Sequence, residues 1–143
     1  MDERAYPNRP FLAVSAAVIR DGRVLIVRRG GTFGRGIYTL PGGVVETGET
    51  LTDAVIREVR EETQVAIEPV TLAGYREMIL RDGDGKASRH FVILCFAARW
   101  IAGEPVPDPA EISEAAWRLP DELDRLKTTE GLAEIVAEAM GKL

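Results

Sequence analysis

The sequence contains one cysteine and one histidine, shows no excess of positive charge and has no long apolar run, and each shortage removes a class of explanation. A lone cysteine, Cys95, cannot close a disulfide within the chain. It lies inside Phe91-Val92-Ile93-Leu94-Cys95-Phe96, where a small buried apolar residue is expected. A catalytic thiol would need an accessible, electropositive setting instead. The lone histidine, His90, follows Arg89 in an extended run and reads as a surface or hydrogen-bonding residue rather than a catalyst. With 18 Lys and Arg against 23 Asp and Glu the formal net charge is −5. That argues against a nucleic-acid partner, because such binding rests on cationic side chains neutralising phosphates. A small phosphorylated substrate stays open, since bound divalent cations reverse the local sign of charge. The apolar run Phe91 to Ala98 is far short of the roughly 20 residues that cross a bilayer as a helix. The first ten residues, MDERAYPNRP, lack the apolar region of a signal peptide, so no membrane partner and a cytoplasmic location are expected.

What is present fits one folded domain, residues 1–143. The length, 45% hydrophobic residues and 29% charged residues all lie near the values of ordinary globular domains. Phe11 to Arg20 and Arg23 to Arg29 are β-rich runs around Asp21-Gly22, a pair that favours a type I′ turn, and they predict a hairpin. The glycine-rich loop Gly30 to Gly36 follows, then a short strand Ile37 to Leu40 that ends at Pro41-Gly42-Gly43. Thr50, with Asp53 three residues on, starts a helix running to about Glu62. Val65 to Arg81 reads as one or two extended segments broken near Pro69 and Gly74. Asp82-Gly83-Asp84-Gly85 is a turn before the strand Ser88 to Ile101. Gly103 to Pro109 reads as a loop, followed by a strand around Ala115 to Leu119, a helical turn at Pro120 to Leu126 and a helix from about Thr129 to Met140. This order predicts an α/β domain, a mixed sheet covered by helices. A Rossmann pattern is disfavoured, because Thr39 stands where the last glycine of G-x-G-x-x-G would follow Gly34 and Gly36.

The central helix carries the chemistry. At 100° per residue Ala54, Leu51, Val55 and Val59 fall at about −60°, 0°, 40° and 80° and define an inward stripe. On the same wheel Glu58 lies at about −20° and Glu62 at about 20°, inside the stripe, with Glu61 on its margin at about −80°. A solvated charged face would have placed these acids opposite Leu51 and Val55. Carboxylates withdrawn from water cost several kcal/mol unless paired or bound to a cation, and together they repel one another. Magnesium answers both costs as a hard cation for carboxylate oxygens, and manganese suits the same ligands. Pairing with Arg57, Arg60 or a distant basic residue is the competing explanation.

Gly43, Glu49, Arg57, Glu58, Val59, Glu61, Glu62 and Val65 stand at the spacing of G-x5-E-x7-R-E-U-x-E-E-x-G-U, where U is a bulky aliphatic. The segment Gly43 to Val65 resembles the Nudix box. One position departs from it: Gln64 replaces the glycine after the helix, where a positive φ is usually wanted. The flanking order of elements is also similar to the Nudix α/β/α sandwich. The resemblance implies hydrolysis of the pyrophosphate linkage of nucleoside diphosphates joined to another group, by attack of an activated water on phosphorus. It implies Glu58, Glu61 and Glu62 as metal ligands together with the Gly42 carbonyl, and a Glu49–Arg57 salt bridge supporting the loop. A carboxylate would act as general base. Glu58, Glu61 and the later acids Glu111 and Glu114, expected in a loop before the strand of Trp117, are the candidates.

Specificity must arise outside that segment. Arg28 and Arg29 end a strand, and alternation should turn one of them to the site as a phosphate contact; Arg35 is a further candidate. Phe33 and Tyr38 are stacking candidates, although aromatics near a core edge more often pack, and Trp100 and Trp117 carry the same alternative. The Arg89-His90-Phe91-Val92-Ile93 run and the compact chain look most like bacterial ADP-ribose or sugar-nucleotide pyrophosphatases. Nucleoside triphosphate hydrolysis is the alternative within enzymes. A nucleotide sensor without turnover is the alternative outside them, and homodimer formation is left open.

Overall fold

In the computed structural model, which describes residues 3–31 and 34–143, the predicted hairpin forms from β1, Phe11–Arg20, and β2, Arg23–Arg29. Its turn has φ of 51° at Asp21 and 75° at Gly22, the two positive values a type I′ turn requires. β3 is Tyr38–Thr39 and β4 is Gly42–Val44, a strand that its glycines conceal, since it becomes extended only by pairing antiparallel with Ala13 to Ser15. Helix α1 spans Leu51–Thr63, and the Thr50 hydroxyl accepts the Asp53 N–H at 3.1 Å as the capping pattern predicts.

β5, Ala66–Arg81, is a single strand. The expected breaks at Pro69 and Gly74 appear as bulges in its ladder with β6, Ala87–Ala102. β7, Ile112–Arg118, begins three residues before the predicted strand because Ile112 to Ala115 pair with β2. A 3₁₀ turn covers Pro120–Arg125. α2, Leu132–Gly141, starts later than predicted, because Gly131 sits at φ 79° and blocks a helical first turn from Thr129.

The strands form one mixed sheet in the order β3-β2-β1-β6-β5, with β4 paired to β1 and β7 to β2. β1 and β6 run parallel from Phe11↔Phe91 to Ile19↔Arg99. Strand alternation divides the core into two layers. Val14, Ala16, Val18, Leu25 and Phe96 pack on Ala54, Val55 and Val59 of α1. Ala17, Val24, Ile26 and Cys95 pack on Leu132, Ile135, Val136 and Ala139 of α2. Cys95 is fully buried, and its sulfur accepts a 3.1 Å hydrogen bond from Ser15. No helix is long and apolar enough to cross a membrane among the described residues.

Candidate functional site

The wheel of α1 predicts which acids sink into the protein. Ala54, Val55 and Val59 are fully buried, Glu58 and Glu62 are half-buried at the border of that face, and Glu61 is exposed. What Glu58 and Glu62 border is the backbone of β4. The Gly42 N–H donates to Glu62 Oε1 at 3.0 Å. A Cβ on Gly43 would overlap the Glu58 carboxyl, and one on Gly42 would overlap the Val14 carbonyl oxygen and Ser15 Cα. The two glycines therefore form a bare shelf on which both carboxylates rest.

Arg57 braces this arrangement. Its Nε and Nη2 donate to the two Glu49 oxygens at 2.7 and 2.8 Å, a bidentate pair, and Nη2 also reaches the Val44 carbonyl at 3.2 Å. The hydrogen bonds from Arg57 hold the Glu49 carboxyl down at about 2. Arg57 Nη1 takes Glu58 at 2.8 Å and Glu61 at 3.3 Å, so Arg57 accounts for two of the three acids. Among the described residues Glu62 forms no ion pair, although the Arg29 charge reaches it. Burial pushes its carboxyl up to about 8; the nearby Glu58 and Glu111 charges add to the rise, while the Gly42 N–H and Arg29 oppose it. Burial likewise raises Glu58, against the pull of Arg57.

Two loops bring further groups to this face. The glycine-rich loop leaves and returns at Arg29, whose N–H donates to the Ile37 carbonyl at 2.9 Å and whose carbonyl accepts from Gly36 at 2.8 Å. The segment 103–111 docks on the end of α1. Val106 and Asp108 donate to the Thr63 and Glu62 carbonyls at 2.9 and 3.0 Å, which satisfies helix-terminal acceptors and places Glu111 within the field of Glu62.

The remaining candidates sort by strand face. Arg29 lies on the α1 side, near enough to Glu62 to act on its charge. Arg28 lies on the α2 side, 5.8 Å over the Tyr38 ring. Glu114, expected in a loop, belongs to β7 opposite Arg28 and shares the α2 side. It accepts the Tyr38 hydroxyl at 2.9 Å and is paired with Arg118. That hydrogen bond raises the Tyr38 phenol above its ordinary value. Tyr38 packs against the α2 core. Arg35 is exposed, and the stacking expectation for Phe33 lies outside the described residues. His90 sits in β6 opposite Ile79, and Trp100 and Trp117 pack against the α1 core, where the Arg20 guanidinium lies 3.7 Å over Trp100.

Sequence reasoning missed Asp108. Its signal was the Pro107-Asp108-Pro109 triplet, which marks a rigid turn.

The donor set can be tested against a divalent cation. Glu62 is a buried carboxyl with a single N–H partner and two acidic neighbours, an arrangement that a cation would relieve. Among the described residues no group of three or more acidic side chains is preorganised as a cage, and Glu61 is turned outward toward Arg57. The set therefore fits a hard divalent cation that takes few protein oxygens and keeps water and substrate oxygens in its other positions.

Comparison with known proteins agrees with this geometry. A family profile described as NUDIX domain matches residues 9–139. A NAD-capped RNA hydrolase of Stutzerimonas stutzeri is 34% identical over 130 residues, which cover 90% of this chain and 44% of that protein. An ADP-ribose pyrophosphatase of Methanocaldococcus jannaschii is 35% identical over 95 residues, covering 66% of this chain and 54% of the relative. The chain thus spans about half the length of the curated relatives it matches. The crystal structure of a MutT NUDIX hydrolase from Burkholderia pseudomallei superposes with a TM-score of 0.79 at 29% identity, covering 92% of this chain and 98% of that one. By its sequence segment, its sheet with flanking helices and these matches, the chain belongs to the NUDIX family.

Proposed function

We propose that the chain hydrolyses the phosphoanhydride of a nucleoside diphosphate joined to a second group, with an ADP-ribose-like substrate favoured and a divalent cation required. The observation that carries this is the Glu62 carboxyl, buried on the Gly42-Gly43 shelf within the field of Glu58 and Glu111, with the Gly42 N–H as a hydrogen-bond partner and no ion pair among the described residues. Glu58, Glu61 and Glu62, with the Gly42 carbonyl, would hold the cation, Mg²⁺ with Mn²⁺ as a substitute. Bound there, it would neutralise phosphoryl oxygens and lower the pKa of water.

The chain's own groups have separable tasks. Arg29 faces the shelf and would take a phosphate oxygen, with Arg35 at the rim of the same loop. Glu58 is engaged by Arg57, whereas Glu111 is exposed and close to Glu62, which makes Glu111 the better general base. It would accept the proton of the attacking water as the new P–O bond forms and the bridging P–O bond breaks, releasing two monophosphates. The relatives' names support the choice of substrate class, since NAD and ADP-ribose both carry an AMP half joined to a second group through a pyrophosphate.

A panel of ADP-ribose, NAD, sugar nucleotides and nucleoside triphosphates, incubated with Mg²⁺ and resolved by product, tests the reading. AMP plus ribose 5-phosphate from ADP-ribose is expected. Monophosphate plus pyrophosphate from triphosphates alone would replace it with nucleotide sanitising, and nucleotide binding without turnover would favour a sensor.

A further inference from the structure

The arm that carries Glu111 is fixed at its middle by one side chain. Both backbone polar groups of Asp108 and one oxygen of its carboxylate are engaged. Its N–H donates to the Glu62 carbonyl at 3.0 Å, and its own carbonyl accepts the N–H groups of Glu111 and Ile112 at 3.0 and 2.8 Å. Its carboxylate Oδ1 accepts the Ala110 N–H at 3.2 Å, an aspartate turn closed two residues on. Pro109 restricts Asp108 to extended backbone and presets the next φ, so the turn is stiff on both sides of the bond. From this turn the chain passes directly to Glu111, whose carbonyl then accepts the Gly30 N–H at 2.9 Å. One residue thus joins the backbone of a shelf acid, Glu62, to the backbone of the exposed acid that faces it.

We propose that Asp108 is a positioning residue, whose side-chain oxygen closes the turn that sets Glu111 beside Glu62. The inference rests on the reading of the shelf as a cation-dependent phosphoanhydride site. It has a chemical signature: Asp108 works through an acceptor oxygen and not through its charge. Asparagine keeps that oxygen and removes the charge, whereas alanine removes both. A second signature is that Asp108 acts through Glu111, so its effect should vanish once Glu111 is disabled.

The test uses the full chain as wild type, Asp108→Ala, Asp108→Asn, Glu111→Gln and the double variant Asp108→Ala/Glu111→Gln. Mn²⁺ binding is measured by titration calorimetry without substrate, kcat and KM are determined separately, and thermal unfolding in EDTA reports folding. Asp108→Ala is expected to lower kcat by about tenfold and, because the Glu111 charge lies within the field of Glu62, to weaken Mn²⁺ binding to the same extent as Glu111→Gln does. KM should move less than kcat. Asp108→Asn should stay within about twofold of wild type on both measures, because its amide oxygen can still accept the Ala110 N–H. The double variant should match Glu111→Gln. Should Asp108→Ala not fold, Asp108→Ser supplies a shorter acceptor, and an intermediate loss is expected of it. Equal damage from Asn and Ala would overturn the proposal, as would additive losses in the double variant. Wild type that binds no Mn²⁺ would overturn the cation reading itself, whereas wild type that binds and an unaffected Asp108→Ala would overturn only the role of Asp108.

Discussion

The two faces of the β2–β7 ladder carry the same residue types and do opposite things with them. On the α2 face Arg28 lies over Tyr38, Tyr38 donates to Glu114, Glu114 pairs with Arg118, and Arg118 approaches Glu122 at 3.8 Å. Each charge there meets its complement. On the α1 face Arg57 holds Glu58, while Glu62 lies within the field of Glu58, Glu111 and Arg29, and burial leaves its carboxyl up at about 8. Adjacent residues in the chain, Arg28 and Arg29, are divided between these outcomes by the pleat of one strand. Compensated charge makes a rigid wall; uncompensated charge makes a place where a cation and a polyanionic substrate are welcome.

The comparison breaks most visibly if the acids are neutralised one face at a time. Glu61→Gln and Glu62→Gln should each lower cation-dependent kcat/KM by about a thousandfold or more, as expected when a charge acting on the transferred phosphoryl group is lost. Thermal unfolding in EDTA above about pH 8, where the Glu62 carboxyl is ionised, should show Glu62→Gln at least as stable as wild type, since it removes a buried charge that repels its neighbours. Activity near wild type in either variant would remove that acid from the cation site. On the opposite face Glu114→Gln should change kcat by no more than about threefold, the range expected of a group that touches no reacting atom. A hundredfold loss would move Glu114 into the reaction.

Arg57→Lys sharpens the contrast in stability. It keeps the charge but cannot reproduce the bidentate hold on Glu49, and urea unfolding should show a lower midpoint than wild type. Tyr38→Phe removes one hydrogen bond to Glu114 and should cost ~1 kcal/mol in the same assay, with little effect on turnover. The smallest effect is a pH dependence. Glu49 titrates at about 2 in the folded chain, below the ordinary carboxylate value of the unfolded one. The unfolded state therefore binds the proton first, and the stability Glu49 contributes is present above the unfolded pKa and lost as pH falls through the folded one. Between about pH 4.5 and 2 wild type should lose stability more steeply than Glu49→Gln.

Much of this was readable because the signals were local. Asp21-Gly22, the Thr50 cap and the helical period of residues 51–62 specify their own conformations, and the wheel angles of Glu58, Glu61 and Glu62 anticipated their order of burial. β4 was hidden because Gly42 and Gly43 have no intrinsic preference for a strand and acquire one only against β1. The start of β7, and with it the side on which Glu114 falls, depended on register with β2 across more than 80 residues of sequence. Alternation said that one of Arg28 and Arg29 would face the site, but only pairing could say which. Gln64 takes the left-handed backbone that a glycine would adopt easily, with φ 62° and its N–H donating to the Arg60 carbonyl, so the helix ends here with a positive φ despite the side chain.

The bare shelf also sets what kind of variation this site can absorb. Any side chain added at Gly42 would drive into β1, and any added at Gly43 would evict Glu58, so the floor of the site is closed to gradual substitution. The loops have no such constraint: Gly31 has open space where a Cβ would stand, and Arg35 is exposed. A lineage of this chain that changes its substrate must therefore rewrite the rim and inherit the floor, and an engineer should expect to recover new specificities from libraries at 31 and 35 and only inactive clones from libraries at 42 and 43.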